Sequence, residues 1–166
     1  MTTKSYFSND YVTARRRFRE AVAACGGRLD SLILSSTGPQ GEDLTIDIAW
    51  FGSPKPRRVF AHSSGLHGVE AFAGSAIQLQ WLAEGARPIP EDGAIIIVHV
   101  LNPYGMAWLR RFNENNVDLN RNFLAPNEQF AGAPEHYDLV DRFLKAVIQQ
   151  ALTLAFDQTS SEKGAV

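Results

Sequence analysis

Arg58-Val59-Phe60-Ala61-His62-Ser63-Ser64-Gly65-Leu66-His67-Gly68-Val69-Glu70 decides how this chain is put together. Arg57 to His62 is a short, largely apolar run of strand type, and Ser63-Ser64-Gly65-Leu66 is a loop by composition. A helical pattern then opens at His67, with Val69, Phe72, Ala73, Ala76, Ile77 and Leu79 at helical spacing to about Glu84. Pro88-Ile89-Pro90-Glu91-Asp92-Gly93 stops it. Ile95 to Leu101 is almost unbrokenly apolar, as a strand covered on both faces should be. Strand, helix and buried strand make a βαβ unit, whose two strands run parallel through a right-handed crossover. Ligands of open α/β sheets gather at the carboxyl ends of such strands, which is where His67 and Asn102 lie.

Upstream, Ser8 or Asn9 can cap a helix that runs to about Cys25 and stops at Gly26-Gly27. Leu29–Ser35 and Leu44–Trp50 have strand character and flank the turn-rich segment Thr37–Asp43, which predicts an antiparallel pair. In the second of these strands Leu44, Ile46, Ile48 and Trp50 alternate with Thr45, Asp47 and Ala49, the period of a half-buried strand. Downstream, Asn102-Pro103-Tyr104-Gly105 is a turn by composition. Residues 106–134 show little periodicity, and a long irregular segment in a compact domain points to function. Val140, Phe143, Leu144, Val147, Ile148, Ala151 and Leu154 mark a last amphipathic helix over 135–156, and 157–166 is a polar tail.

At 166 residues the chain fits one domain with a real core. Sixteen basic against eighteen acidic residues give a net charge of −2, which argues against a nucleic-acid footprint built on bulk positive charge. The cluster Arg15-Arg16-Arg17 with Arg19 belongs to a solvated helix face. Cys25 is the only cysteine, so no intrachain disulfide can form, and nothing beside it would activate a thiol. No apolar run reaches the roughly 20 residues that span a bilayer. The start carries no apolar leader-like stretch, so a cytoplasmic location away from membranes is expected.

His67 and Glu70 stand one helical turn apart and project to the same side. Imidazole nitrogen and carboxylate oxygen are ligand types that zinc accepts. A lone HxxE pair is more often a solvated helix start. Here it is followed, at Val117-Asp118-Leu119-Asn120-Arg121-Asn122-Phe123, by a second block rich in groups that carry chemistry. Ser63-Ser64-Gly65 lacks the strand-turn-helix elbow of a serine nucleophile. His62 and His99 fit better as buried histidines satisfied by neighbours.

The three blocks Gly65–Glu70, Asn102–Gly105 and Val117–Phe123, in this order and spacing, resemble the M14 family of zinc carboxypeptidases, and within it the bacterial DUF2817 branch, over roughly residues 44–150. The resemblance implies a three-layer α/β fold with a mixed, mainly parallel sheet and helices on both faces. It implies one zinc ion with His67 and Glu70 as two ligands, and Asp118 accepting a hydrogen bond from the far nitrogen of His67. Asn120 and Arg121 would hold the free carboxylate of a peptide, for which the planar guanidinium fork is suited. Arg111, or less so Arg110, would stabilise the oxyanion. The reaction implied is hydrolysis of an amide beside a free carboxylate.

The family pattern also needs a third ligand, a downstream His, and a catalytic Glu. After residue 123 the only histidine is His136, too early for that spacing, and Glu128, Glu135 and Glu162 carry no motif. The expectation is therefore a C-terminally truncated domain over 1–156, binding zinc weakly and turning over little. Half a sheet leaves an open edge, so self-association or a partner chain covering it is expected. Two alternatives stand beside the peptidase: a deacylase resembling succinylglutamate desuccinylase or aspartoacylase, acting on an acyl amino acid, and a non-catalytic carboxylate-binding remnant.

Overall fold

The computed structural model describes residues 5–85, 88–125, 127–128 and 142. The chain divides into two units, Met1–Phe123 and Leu124–Val166, and every element described below belongs to the first. Apart from Arg142, which is helical, the expected helix over 135–156 and the tail 157–166 lie outside the described residues.

Helix α1 spans Tyr11–Ala24. Its cap is Asp10 rather than Ser8 or Asn9: the Asp10 carboxylate accepts from the Thr13 N–H at 2.7 Å and from the Thr13 hydroxyl at 2.8 Å. Gly26-Gly27 ends it as expected. Gly26 takes φ +69°, and the Gly27 N–H reaches back to the Val22 carbonyl at 3.0 Å. Strands β1 (Arg28–Thr37) and β2 (Asp43–Gly52) then pair antiparallel.

Strand β3 (Arg58–Ser63), helix α2 (Ala71–Ala83) and strand β4 (Gly93–His99) form the βαβ unit, with β3 and β4 parallel. β4 also pairs antiparallel with β2, giving the order β1-β2-β4-β3. The sheet is mixed, but the expected parallel majority is absent among the described residues, where two of the three pairings are antiparallel. The reason is local. A hairpin precedes the only crossover among the described residues, and β4 inserts between hairpin and β3.

The two long helices among the described residues, α1 and α2, cover one face. Phe18 and Val22 of α1 and Leu79 and Leu82 of α2 meet Ala49 and Phe51 of β2 and Ile97 of β4 in a single buried cluster. The face of β2 that turns to the helices is thus Thr45-Asp47-Ala49-Phe51, not the isoleucine face that the alternation suggests. Asp47 can sit there fully buried because Arg19 grips it with two hydrogen bonds, at 2.7 and 2.8 Å, and Ser31 adds a third at 2.8 Å. These bonds hold the Asp47 carboxyl below its ordinary range although burial, the largest influence, pushes it up. Ile46, Ile48, Trp50, Ile96 and Val98 on the other face are half-buried and join neither helix-packed cluster. β4 is therefore packed by helices on one face among the described residues, not on both, and a layer over the second face is not seen among them.

His99 is buried as expected but only half satisfied. Its Nε2 meets the Ser75 hydroxyl at 2.9 Å and its ring stacks on Phe18 at 4.5 Å, while Nδ1 has no hydrogen-bond partner. His62 is half-buried against the Gln78 amide at 3.2 Å. β3 forms an edge of the described sheet, and its Phe60 is 59% exposed. That edge carries no bulge, lysine or proline to discourage strand addition. No helix among the described residues is long and apolar enough to cross a membrane.

Candidate metal centre

The centre is assembled from three loops at the carboxyl end of the parallel pair. The first follows β3 and delivers His67 and Glu70. The second follows β4, where Asn102-Pro103-Tyr104-Gly105 is not a free turn but the start of a short helix, α3 (Pro103–Ala107). Proline at the first helical position and the Asn102 side chain accepting from the Gly105 N–H at 2.8 Å explain why turn-like composition nucleates a helix here. The third loop runs from Trp108 to a single 3-10 turn over Leu119–Arg121, capped by Asp118.

Asn102 fastens the three together. It is 2% exposed. Its N–H donates to the Gly65 carbonyl at 2.8 Å, its Oδ1 caps α3, and its Nδ2 donates to the Arg111 carbonyl at 3.2 Å. Gly68 closes the joint: a Cβ placed there would stand 1.9 Å from the Gly105 carbonyl carbon and 2.4 Å from the Arg110 oxygen. His67 and the arginine pair are adjacent only because residue 68 has no side chain.

The His67 imidazole lies between two carboxylates. Nδ1 is 3.1 Å from Glu70 Oε2, and Nε2 is 3.2 Å from Asp118 Oδ1, across 51 residues of sequence. Asp118 is itself held, accepting from the Asn120 N–H at 2.9 Å through Oδ1 and from Arg111 Nε at 3.0 Å through Oδ2. Burial, the largest influence on this carboxyl, works against its ionised form. The hydrogen bonds from Arg111 and Asn120, the Arg111 charge and His67 together outweigh it and hold the carboxyl below its ordinary range. The His67 and Asp118 side chains are 12% and 13% exposed, whereas Glu70 is 68% exposed, so the cup opens to solvent on the Glu70 side.

Four of the six residues singled out by sequence thus converge: His67, Glu70, Asp118 and Arg111, whose Nη1 is 3.6 Å from Glu70 Oε1. Arg110 is occupied elsewhere, donating to Asn116 Oδ1 at 2.8 Å. Asn120 and Arg121 sit on the 3-10 turn that Asp118 caps. Arg121 is exposed, and its Nη1 donates only to the neighbouring Asn120 carbonyl, at 3.0 Å. Among the described residues no carboxylate lies within ion-pair distance of it. Sequence reasoning placed Asn102 at the strand end where ligands gather without giving it a role, and it passed over Gly68. The signal available was their position, one directly after a strand and the other between the two candidate ligands.

The donor set suits a divalent cation in one respect and falls short in another. A neutral imidazole has one N–H and can donate to only one of two facing carboxylates. In the tautomer that carries its proton at Nε2, the Nδ1 lone pair and Glu70 Oε2 face each other. That arrangement calls for a second proton or a cation between them. Their 3.1 Å separation is near the roughly 3.4 Å between neighbouring N and O donors of a tetrahedral ion with bonds of about 2.0–2.1 Å. A third donor is lacking: no group of three or more His, Cys, Asp or Glu able to hold an ion occurs among the described residues.

Fold and site together define a mixed α/β protein that presents an imidazole and two carboxylates at the ends of parallel strands. The chain belongs to the DUF2817 family, described as a protein of unknown function, whose model matches residues 7–164. No curated protein matches. Among solved structures it is similar to a presumed metallopeptidase of Shewanella denitrificans OS217, at 23% identity and a TM-score of 0.48, covering 88% of this chain and 56% of that one. It is also similar to the glutaminyl cyclase of Fimbriiglobus ruber, at 14% identity and a TM-score of 0.35, covering 55% and 39%. The glutaminyl cyclase of Porphyromonas gingivalis matches at 12% identity and a TM-score of 0.34, covering 61% and 48%. The chain spans little more than half the length of the Shewanella protein.

Proposed function

We propose that this chain carries the metal-holding and carboxylate-recognising part of a zinc-dependent hydrolase that cleaves an amide bond beside a free carboxylate, as metallocarboxypeptidases do. The observation that carries the proposal is the His67 ring held between Glu70 and Asp118, an arrangement that one imidazole proton cannot satisfy. His67 and Glu70 hold the ion. Asp118 keeps the His67 proton on the far nitrogen and fixes the ring, a partnership that commonly sets metal affinity. When bound, zinc polarises a carbonyl and acidifies water.

The remaining groups handle the substrate. Arg121 stands exposed within one turn of Asp118, and with Asn120 it offers an anionic chain end a fork of donors. Arg111, nearer the cup, is the cation that meets charge developing on the carbonyl oxygen. A third ligand and a general base have no candidate in the described residues, so turnover by this chain alone is low in this reading.

Binding therefore tests the proposal better than turnover. Titrating the zinc-supplemented protein with an N-acylated dipeptide, an N-acyl amino acid and the C-terminal amide of each, followed by NMR, should show the free acids binding at least about tenfold more tightly than the amides. Arg121→Met should erase the difference. The preferred acid distinguishes peptidase from deacylase recognition. Equal binding of acids and amides would overturn the carboxylate reading.

A further inference from the structure

Resting on the metal reading above, we infer that Arg111 and the metal ion compete for the Glu70 carboxylate, so that filling the metal site releases Arg111 toward the substrate. Arg111 bridges the two carboxylates of the cup, with Nε on Asp118 Oδ2 at 3.0 Å and Nη1 3.6 Å from Glu70 Oε1. The same Glu70 carboxylate faces His67 Nδ1 through its other oxygen. A metal ion at Nδ1 draws on that carboxylate and repels the guanidinium, since both are cations.

The two contacts of Arg111 are unequal. Asp118 is mostly buried and tightly held, whereas Glu70 is 68% exposed and its contact with Arg111 is the longer one. An exposed pair of this kind is weak, and it is the one that yields. The backbone need not follow. The Arg111 carbonyl is fixed by Asn102 Nδ2 at 3.2 Å and faces the Gly68 N–H at 3.5 Å. Only the side chain, 43% exposed, has room to swing. Arg110 cannot substitute, because its guanidinium is engaged by Asn116.

The test is metal affinity rather than activity. Zinc titration calorimetry on the whole chain should show Arg111→Met binding about three- to tenfold more tightly than wild type, because a competing cation is gone while Asp118 keeps its bond from the Asn120 N–H. Arg111→Lys, which keeps the charge, should stay within about twofold of wild type. Circular dichroism of each variant establishes that the fold is intact. Equal or weaker binding by Arg111→Met, with wild type binding normally, overturns this inference alone. A lysine variant as tight as the methionine one overturns its electrostatic basis. Failure of all three proteins to bind zinc overturns the metal reading, and this inference with it.

Discussion

Between pH 6.5 and 4 the folding stability of this protein should fall by about 3 kcal/mol through one side chain, His99. Burial lowers the pKa of its imidazole from 6.5 to about 4, against the smaller pull of the Asp47 carboxylate. In that window the unfolded chain takes up a proton at residue 99 and the folded chain does not. Acid therefore favours unfolding. The contribution is complete above pH 6.5, shrinks by about 1.4 kcal/mol per pH unit as pH falls, and is gone near pH 4. Asp47 acts elsewhere on the scale. Its folded pKa lies below the ordinary 3.8, so its contribution is kept above that value and lost only at lower pH. Urea unfolding at pH 7, 6, 5 and 4.5 should show the slope in wild type and its disappearance in His99→Gln, whose amide can still meet Ser75. The same slope in the variant would mean that another group carries it.

Replacing Gly68 by alanine should cost at least about 3 kcal/mol and disable the cup as well. Overpacking typically costs about 1–3 kcal/mol, when side chains can yield. Here the obstacles are backbone atoms, at 1.9 and 2.3 Å on Gly105 and 2.4 Å on Arg110, in a joint that Asn102 already fixes. The strain is steric rather than conformational, because Gly68 is not among the residues of positive φ. Relief must push the start of α3 and the Arg110-Arg111 segment away from His67. Thermal unfolding and zinc titration should therefore deteriorate together. A variant with wild-type stability and metal affinity would show that the joint is loose, and that His67 and Arg111 are placed independently.

How much of this was legible in the chain depends on range. The order of the βαβ unit follows from local pattern: an apolar strand, a helical segment and an apolar run ended by Asn-Pro. However, α2 begins at Ala71 rather than His67, and Val69 and Ile77 of the expected stripe are exposed. The Gly26-Gly27 stop is local too. The inward face of β2 was not legible, because burying Asp47 rather than Ile48 depends on Arg19, 28 residues away on another element. No periodicity encodes such a pair. Among the described residues parallel pairing is the minority for a similar reason, since strand order depends on where β4 inserts. Composition described Asn102-Pro103 correctly as a chain reversal, but the same residues are also an N-cap and a first helical residue. In the site, residue types and spacing singled out His67 and Glu70, and the family resemblance added Asp118. The preference for Arg111 over Arg110 came from the resemblance, because adjacent loop residues have no period to say which side each faces. The positive φ of Leu109, at +54°, marks the irregularity of that loop.

The central claim is that His67 and Glu70 hold a divalent cation while Asp118 orients the imidazole. Isothermal titration of zinc into wild type and three variants tests it most directly. Wild type should bind one ion per chain. His67→Ala and Glu70→Gln should each weaken binding by at least about tenfold, and Asp118→Asn by about 10- to 100-fold. Absence of binding by wild type, or variants that bind zinc as tightly as wild type does, would contradict the account.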